Sequence, residues 1–377
     1  MAIEIREIKP TRSELRKFVR FPIDVLYHDH DCYVPDLVSD EIDTLSPGKN
    51  PAFDFCESVY YMAYRDGEPV GRIAGIINRV VNDRGNKHEA RFGFVDFIDD
   101  AEVVDALFAA VAHWGRNKGM TRLTGPLGFT DMDPEGMLVE GYSELGTQAT
   151  IYNHPYYVRH MERMAFEKDV DWVEYKVTVP PQVPERMARI AALVAQRQEL
   201  HCVKYTNRRR LVADYGEALF QLVNEAYDNL FGYSPLTKRQ IDHYIKMYLP
   251  FLPLEDLSLV VDKNDRLVAM GIAIPSLSRA LQKSRGRLWP TGWYHLIRAL
   301  KGKNDIVDLM LMAVKPMYQN KGVNAMVFND LIPCFNKFGY RWAETNVEIE
   351  SNARVQQQWA YFDYVQHKRR RAFTKAL

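Results

Sequence analysis

From position 314 the chain reads Val314-Lys315-Pro316-Met317-Tyr318-Gln319-Asn320-Lys321-Gly322-Val323-Asn324-Ala325. A strand-like run ends here, a tight loop follows, and a helix opens at a glycine. Amides of such a loop and of the first helical turn have no intrahelical partner, and the helix dipole adds positive potential, so this end attracts an anion. Lys321 adds a full charge, and Gly322 lets a phosphate approach the backbone. The spacing is not GxxxxGK[ST], which excludes a nucleotide P-loop. Downstream, the run 341–349 alternates, with Ala343, Thr345, Val347 and Ile349 on one face and Glu344, Asn346 and Glu348 on the other. Asp308 belongs to the strand-like run before the loop. Carboxylates so placed are candidates for proton transfer, although a strand carboxylate is more often solvated or paired.

These groups need a scaffold, and the sequence lays one out twice. In the first half, apolar runs at 59–64 and 70–77 flank Asp66-Gly67, a dipeptide suited to a tight primed turn. A strand at 91–97 follows, then a helix over about 101–118 whose Val104, Leu107, Phe108, Val111 and Trp114 keep i, i+3, i+4 spacing. Gly119 ends it, and 121–124 resumes as a strand. In the second half, strands at 257–261 and 266–274 flank Asn264-Asp265. A strand at 306–314 leads into a helix carrying Val323, Met326, Val327, Leu331, Cys334 and Phe335. Gly339 stops it, 341–349 is the next strand, a helix begins near Asn352, and 368–374 forms a last strand. Strands grouped this way give an α+β fold, not an alternating doubly wound one. The proline-dense stretch 180–184 separates a domain at 1–179 from one at 185–377, and 377 residues suffice for two cores.

The segment Gln319-x-x-Gly322-x-Asn324 resembles the pyrophosphate loop of the Gcn5-related N-acetyltransferases (GNAT), whose pattern is Gln/Arg-x-x-Gly-x-Gly/Ala. The whole chain resembles a group of uncharacterised bacterial proteins related to them, from Tyr27-His28-Asp29-His30-Asp31-Cys32-Tyr33-Val34-Pro35 through Gly125-Pro126, 136–141 and Pro155-Tyr156-Tyr157 to Gln319. The resemblance implies two tandem GNAT-like (acyl-CoA N-acyltransferase) domains, each a mixed, mostly antiparallel sheet flanked by helices. It implies acetyl-CoA or another acyl-CoA as co-substrate, held by Leu311, Met312, Ala313 and Val314 on the strand, by Gln319, Asn320, Lys321, Gly322, Val323 and Asn324 in the loop, and by Asn352. A base for the amine is then sought among Glu348, Asp308 and Glu344, with Glu348 nearest the loop-side end of its strand. Three positions depart from the family pattern: Asn324 replaces a small residue, Asp363 stands where glycine is usual, and Trp359 occupies the general-acid tyrosine position. Tyr361 is close to that position, but two residues along an α-helix turn it about 200° away. In the first half the corresponding loop is Phe97-Ile98-Asp99-Asp100-Ala101-Glu102, whose carboxylates suit a helix cap and repel pyrophosphate. That domain is expected to shape a substrate cleft without a CoA site.

Lys+Arg and Asp+Glu both number 49, so the chain lacks the basic surplus of a dedicated nucleic-acid binder. Cys32, Cys56, Cys202 and Cys334 form no CxxC pair, which excludes a zinc ribbon. His28, His30 and Cys32 would share one face of a strand, yet a polar surface turn is the expectation there and no metal is expected. The insert 276–304 holds Arg279, Lys283, Arg285, Arg287, Arg298, Lys301 and Lys303 without an acidic residue, beside Trp289, Trp293 and Tyr294. A solvated excursion covering the cleft is the plain reading; contact with RNA, a membrane surface, the CoA 3′-phosphate or an anionic substrate is the functional one. Residues 125–141 form a glycine-punctuated loop, either substrate-binding or simply packed. The basic runs 208–210 and 368–371 read as solvated. Charges punctuate the first residues and no apolar run reaches membrane-spanning length, so a cytoplasmic protein is expected.

The expected activity is N-acyl transfer from acyl-CoA to a small-molecule or peptide amine. One alternative is a peptidyl transferase drawing on aminoacyl-tRNA with the insert on the tRNA; another is a non-catalytic ligand-binding or scaffold protein.

Overall fold

Both expected hairpins form in the computed structural model, which describes residues 2–301 and 304–377. The chain divides into two compact units, Met1–Val173 with Ser278–Leu296 and Lys368–Leu377, and Glu174–Leu277 with Ile297–His367. A cut at the proline stretch follows the sequence, whereas packing assigns 174–179 to the second unit and both 278–296 and 368–377 to the first.

In the first unit β1 (Glu4–Glu7), β2 (Cys56–Arg65), β3 (Glu68–Asn78) and β4 (Glu89–Phe97) are successive antiparallel neighbours. Asp66 and Gly67 both take the left-handed region, φ 54° and 86°, as a primed turn requires. The helix Ala101–Asn117 then returns the chain to β5 (Arg122–Gly125), which pairs in parallel with β4. Asp100 caps that helix through the amides of Glu102 (2.9 Å) and Val103 (3.3 Å). Val103, Leu107, Phe108 and Val111 pack with Ile73, Phe92 and Phe97 on one face of the sheet. Leu15, Phe18 and Val19 of the helix Arg12–Phe21 pack with Ala74 and Ile76 on the other. Part of the expected 125–141 loop is a strand, β6 (Met137–Glu140), and β7 (Glu167–Thr178) begins in this unit. The chain's last strand, Tyr364–Ala376, supplies residues 373–376 to the free side of β5 and 369–371 to β6. Strand alternation buries Lys368 and Arg370, each 1% exposed, so the basic run there is not simply solvated.

The second unit repeats the plan. β8 (Leu200–Val203), β9 (Leu257–Asp262), β10 (Leu267–Pro275) and β11 (Ile306–Val314) are antiparallel neighbours. The helix Val323–Phe338 leads to β12 (Trp342–Thr345), parallel to β11, and the 176–178 end of β7 closes that edge. The helix lies so close on the sheet that a Cβ on Gly271 would collide with Val327.

Two irregularities position the site. The β11–β12 ladder covers only Ile306–Leu309 against Trp342–Thr345. There Met310 is an extra residue in β11, since Ile272 faces Leu311 while Ala273 faces Leu309. A bulge of this kind bends a strand and sharpens its twist. The expected single strand 341–349 is also interrupted, into β12 and β13 (Glu348–Ile349). Asn346 causes the break: its Oδ1 accepts from the Val347 amide (2.8 Å), its Nδ2 donates to Met310 O (3.3 Å), and its amide donates to Leu309 O (3.1 Å). Side-chain alternation therefore does not run through from Glu344 to Glu348.

Candidate active site

Around the bulge, Leu309–Met312 are apolar yet only half-buried. Met312 O accepts from the Tyr227 hydroxyl at 3.0 Å, and Val314 O accepts from Gln319 Nε2 at 3.1 Å. Asn320 (φ 61°) and Gly322 (φ 80°) are both left-handed, and Gly322 is the N-cap of the helix Val323–Phe338 with no side-chain cap. The end is thus open to an anion. Lys321 is exposed, its Nζ 5.5 Å from the centre of the Tyr318 ring. Asn324 turns its amide toward Gln358 Oε1 at 3.5 Å, the outer limit of a hydrogen bond.

Among the candidate carboxylates, Glu348 is bound by an indole. Trp359 Nε1 donates to its two oxygens at 3.0 and 3.2 Å, and the indole is 2% exposed. Burial raises the carboxyl from the ordinary 4.5 to about 7, against the opposing pull of that indole. Tyr227 senses the same charge: burial foremost, then Glu348, push its hydroxyl up to about 12 against the Met312 bond. A carboxyl titrating near neutrality, a protonated phenol and an open helix end thus share one unit.

The other candidates have different partners. Glu344 meets His367 Nε2 at 3.4 Å and sits beside Asp308 in the parallel register; both carboxylates are buried in the sheet. Asn352 caps the short helix Ala353–Gln356 through the Val355 amide. That segment continues as a 3-10 turn, Gln357–Tyr361, not as the longer helix expected. Tyr361 lies under Arg186, whose guanidinium carbon is 5.4 Å from the ring centre. Asp363 accepts from the Thr178 hydroxyl at 3.2 Å, so its side chain serves the strand edge.

In the first unit His30 Nδ1 accepts from the Cys32 amide, and its Nε2 meets the Tyr152 hydroxyl at 3.2 Å. Among the described residues no group of three or more His, Cys, Asp or Glu could hold a metal. The insert 276–304 forms the helices Ser278–Ser284 and Gly292–Leu300, and Gln282 donates to the carbonyls of Asp31 and Tyr33. Lys303 lies outside the described residues.

The sequence pattern alone does not reveal Tyr227. It closes a helix, Arg208–Tyr227, and lies 85 positions from the carbonyl it binds, so no local pattern marks it. The sequence shows Trp359 only as the residue that stands where the family pattern has a tyrosine; its bond to Glu348 needs the fold.

No protein-family model matches the chain. A tandem GNAT protein from the clavulanic acid biosynthesis pathway superposes over 100% of this chain and 98% of its own, with a TM-score of 0.59 at 11% identity. The fold is the tandem GNAT fold. A Gcn5-related N-acetyltransferase from Sphaerobacter thermophilus also matches the GNAT architecture over 99% of this chain and 95% of its own (TM-score 0.51, 12% identity). By sequence the chain is 26% identical over 322 residues to Protein YghO of Escherichia coli K12, covering 84% of this chain and 80% of that protein. It is 25% identical over 318 residues to the bacterial ceramide synthase of Caulobacter vibrioides, covering 82% and 80%. Among the described residues no helix of this GNAT fold is long and apolar enough to cross a membrane.

Proposed function

We propose that the protein is an N-acyltransferase that moves an acyl group from acyl-CoA to an amine, with Glu348 as the base. The observation that carries this reading is the Glu348 carboxyl, raised to about 7 and oriented by Trp359. At neutral pH such a group is partly ionised and can take a proton from an ammonium ion.

The amides at 320–324, with Lys321, suit a pyrophosphate at the uncapped helix end. The strand at 311–314, where Leu311, Met312 and Val314 are half-buried, suits an extended arm laid along the bulged strand. Removal of the ammonium proton by Glu348 leaves a nitrogen lone pair free to attack the thioester carbonyl carbon; the C–N bond forms, the C–S bond breaks, and the nitrogen sheds a second proton, which neutralises the departing thiolate. Tyr227, held neutral, fixes the Met312 carbonyl beside this path. A ceramide is an N-acylated long-chain amino alcohol, so the name of the Caulobacter relative describes the same kind of bond.

The test is calorimetric titration of acetyl-CoA and a long-chain acyl-CoA into the full chain and its Lys321→Glu variant, followed by thiol release with an amine panel. Saturable binding weakened in the variant supports the reading. A flat titration with both ligands overturns it.

A further inference from the structure

The insert that the acyl-transfer reading leaves unused presents an unusual surface. Among the described residues fourteen large hydrophobic side chains are exposed, and five of them, Leu288, Trp289, Trp293, Tyr294 and Ile297, fall within ten positions. Trp289 is 76% exposed, Tyr294 51% and Trp293 44%. A single exposed hydrophobic side chain needs no partner, but three aromatics held this far out of a folded unit forgo the free energy of burial.

Their spacing is regular. Trp293 and Ile297 are four apart on the helix Gly292–Leu300, Tyr294 and Arg298 form the neighbouring row, and Trp289, just before the helix, holds its ring 6.4 Å from that of Trp293. The result is an aromatic stripe edged by positive charge. A second helix adds to it: Arg12, Arg16 and Arg20 line a groove of about 710 Å³ together with Arg287, Leu288 and Trp289. Arg20 is paired with Asp24, and Arg285 with Asp29. Among the described residues Arg12, Arg16 and Arg287 form no ion pair, and Arg279 and Lys283 of the helix Ser278–Ser284 are exposed. Val38 closes the groove floor, its amide bonded to Gly286 O at 2.9 Å, so the insert is anchored to the unit on its inner side.

We infer that this face docks the protein on an anionic lipid bilayer, with Trp289 and Trp293 entering the interface and the arginine groove taking lipid phosphates. Tryptophan and tyrosine prefer the headgroup boundary, where an apolar ring and a polar tip are both satisfied. Basic side chains around such rings add attraction to anionic lipid, about 1 kcal/mol per Lys or Arg near the surface. Single-stranded RNA also stacks on aromatics, but its bases need a groove that tracks the backbone, and here aliphatic Leu288 and Ile297 flank the exposed rings and extend an apolar face. The inference is independent of the acyl acceptor and of catalysis.

The test is vesicle flotation of the full chain with phosphatidylcholine alone and with added phosphatidylglycerol, alongside a Trp289→Ser/Trp293→Ser double variant and an Arg16→Ser/Arg287→Ser double variant. The protein should float with phosphatidylglycerol vesicles and not with phosphatidylcholine alone, and high salt should release it. Loss of two arginines should cut partitioning about 30-fold, from about 1 kcal/mol each. The aromatic variant should abolish the blue shift of tryptophan emission on vesicle addition. Because every substituted side chain is exposed or lines an open groove, unchanged circular dichroism melting will show that the variants fold. Absence of flotation, or flotation unchanged in both variants, overturns the inference. So does a gel shift with a single-stranded RNA, or a monomer–dimer change in size exclusion, that the same substitutions remove while vesicles remain unbound.

Discussion

Trp359 gives one indole N–H to both carboxylate oxygens of Glu348, at 3.0 and 3.2 Å. The donor favours the anion and the surrounding protein favours the acid. Burial is the larger influence, leaving the carboxyl at about 7. Where a tyrosine would offer an acid, this chain thus has an indole that cannot ionise and instead tunes a neighbouring carboxylate.

If Glu348 is the base, kcat/KM for acyl transfer will rise with pH through about 7. Glu348→Gln should remove that limb and lower kcat by about 10²–10⁴-fold, with acyl-CoA affinity kept. Trp359→Phe removes the contact that favours the anion, so the limb should move to higher pH and the Gln variant should not respond to it. A pH–rate profile unchanged in Trp359→Phe would separate the two residues functionally.

The same carboxyl sets a pH dependence of stability. Its folded-state value lies above the unfolded one, so folding is least penalised below about 4.5 and loses stability as pH rises toward 7. The cost above that window is no more than about 3 kcal/mol, because Glu348 is only half-buried. Urea denaturation should therefore show Glu348→Gln more stable than the wild type near pH 8 and equal to it near pH 4. A Gln variant destabilised at both would mean that the indole bond outweighs burial.

Gly322 and Gly339 bracket one helix, with φ 80° and 78°. An alanine at either position meets the left-handed penalty of about 1–2 kcal/mol. At Gly322 its Cβ would also sit 3.0 Å from Ile190 Cγ2, whereas nothing lies within 4 Å at Gly339. Gly322→Ala should accordingly cost more in urea denaturation, and of the two it alone should weaken acetyl-CoA in calorimetry.

Asp100→Ala removes a helix cap, along with the ion pair to Arg65 at 2.8 Å. The loss should be about 1–2 kcal/mol of stability. Acetyl-CoA affinity should stay the same, since the proposed site lies in the other unit; a weaker titration would bring the first unit into the site.

Much of the scaffold was legible in the residues. The Asp66-Gly67 and Asn264-Asp265 turns, the helix over 101–117 and the glycine stop at 339 rest on local backbone preference, which a sequence displays directly. Met310 could not be read as a bulge, because Leu309, Met310, Leu311 and Met312 are all apolar and an extra residue leaves no gap in such a pattern. The break at Asn346 depends on carbonyls of a neighbouring strand. The same holds for Tyr227 and for the indole bond to Glu348: each joins segments that only the sheet brings together.

The last strand of the chain, which borders β5 and β6, has a consequence for synthesis. A ribosome releases the N-terminus first, yet the first unit must wait for residues 368–376 before β5 gains its outer neighbour, and for 278–296 before its arginine groove is closed. Domains whose segments are contiguous can fold as they emerge; this one stays open until residues 368–376 have been made. A fragment ending at 179 would reproduce that nascent state, with the outer edge of β5 exposed as a template for aggregation.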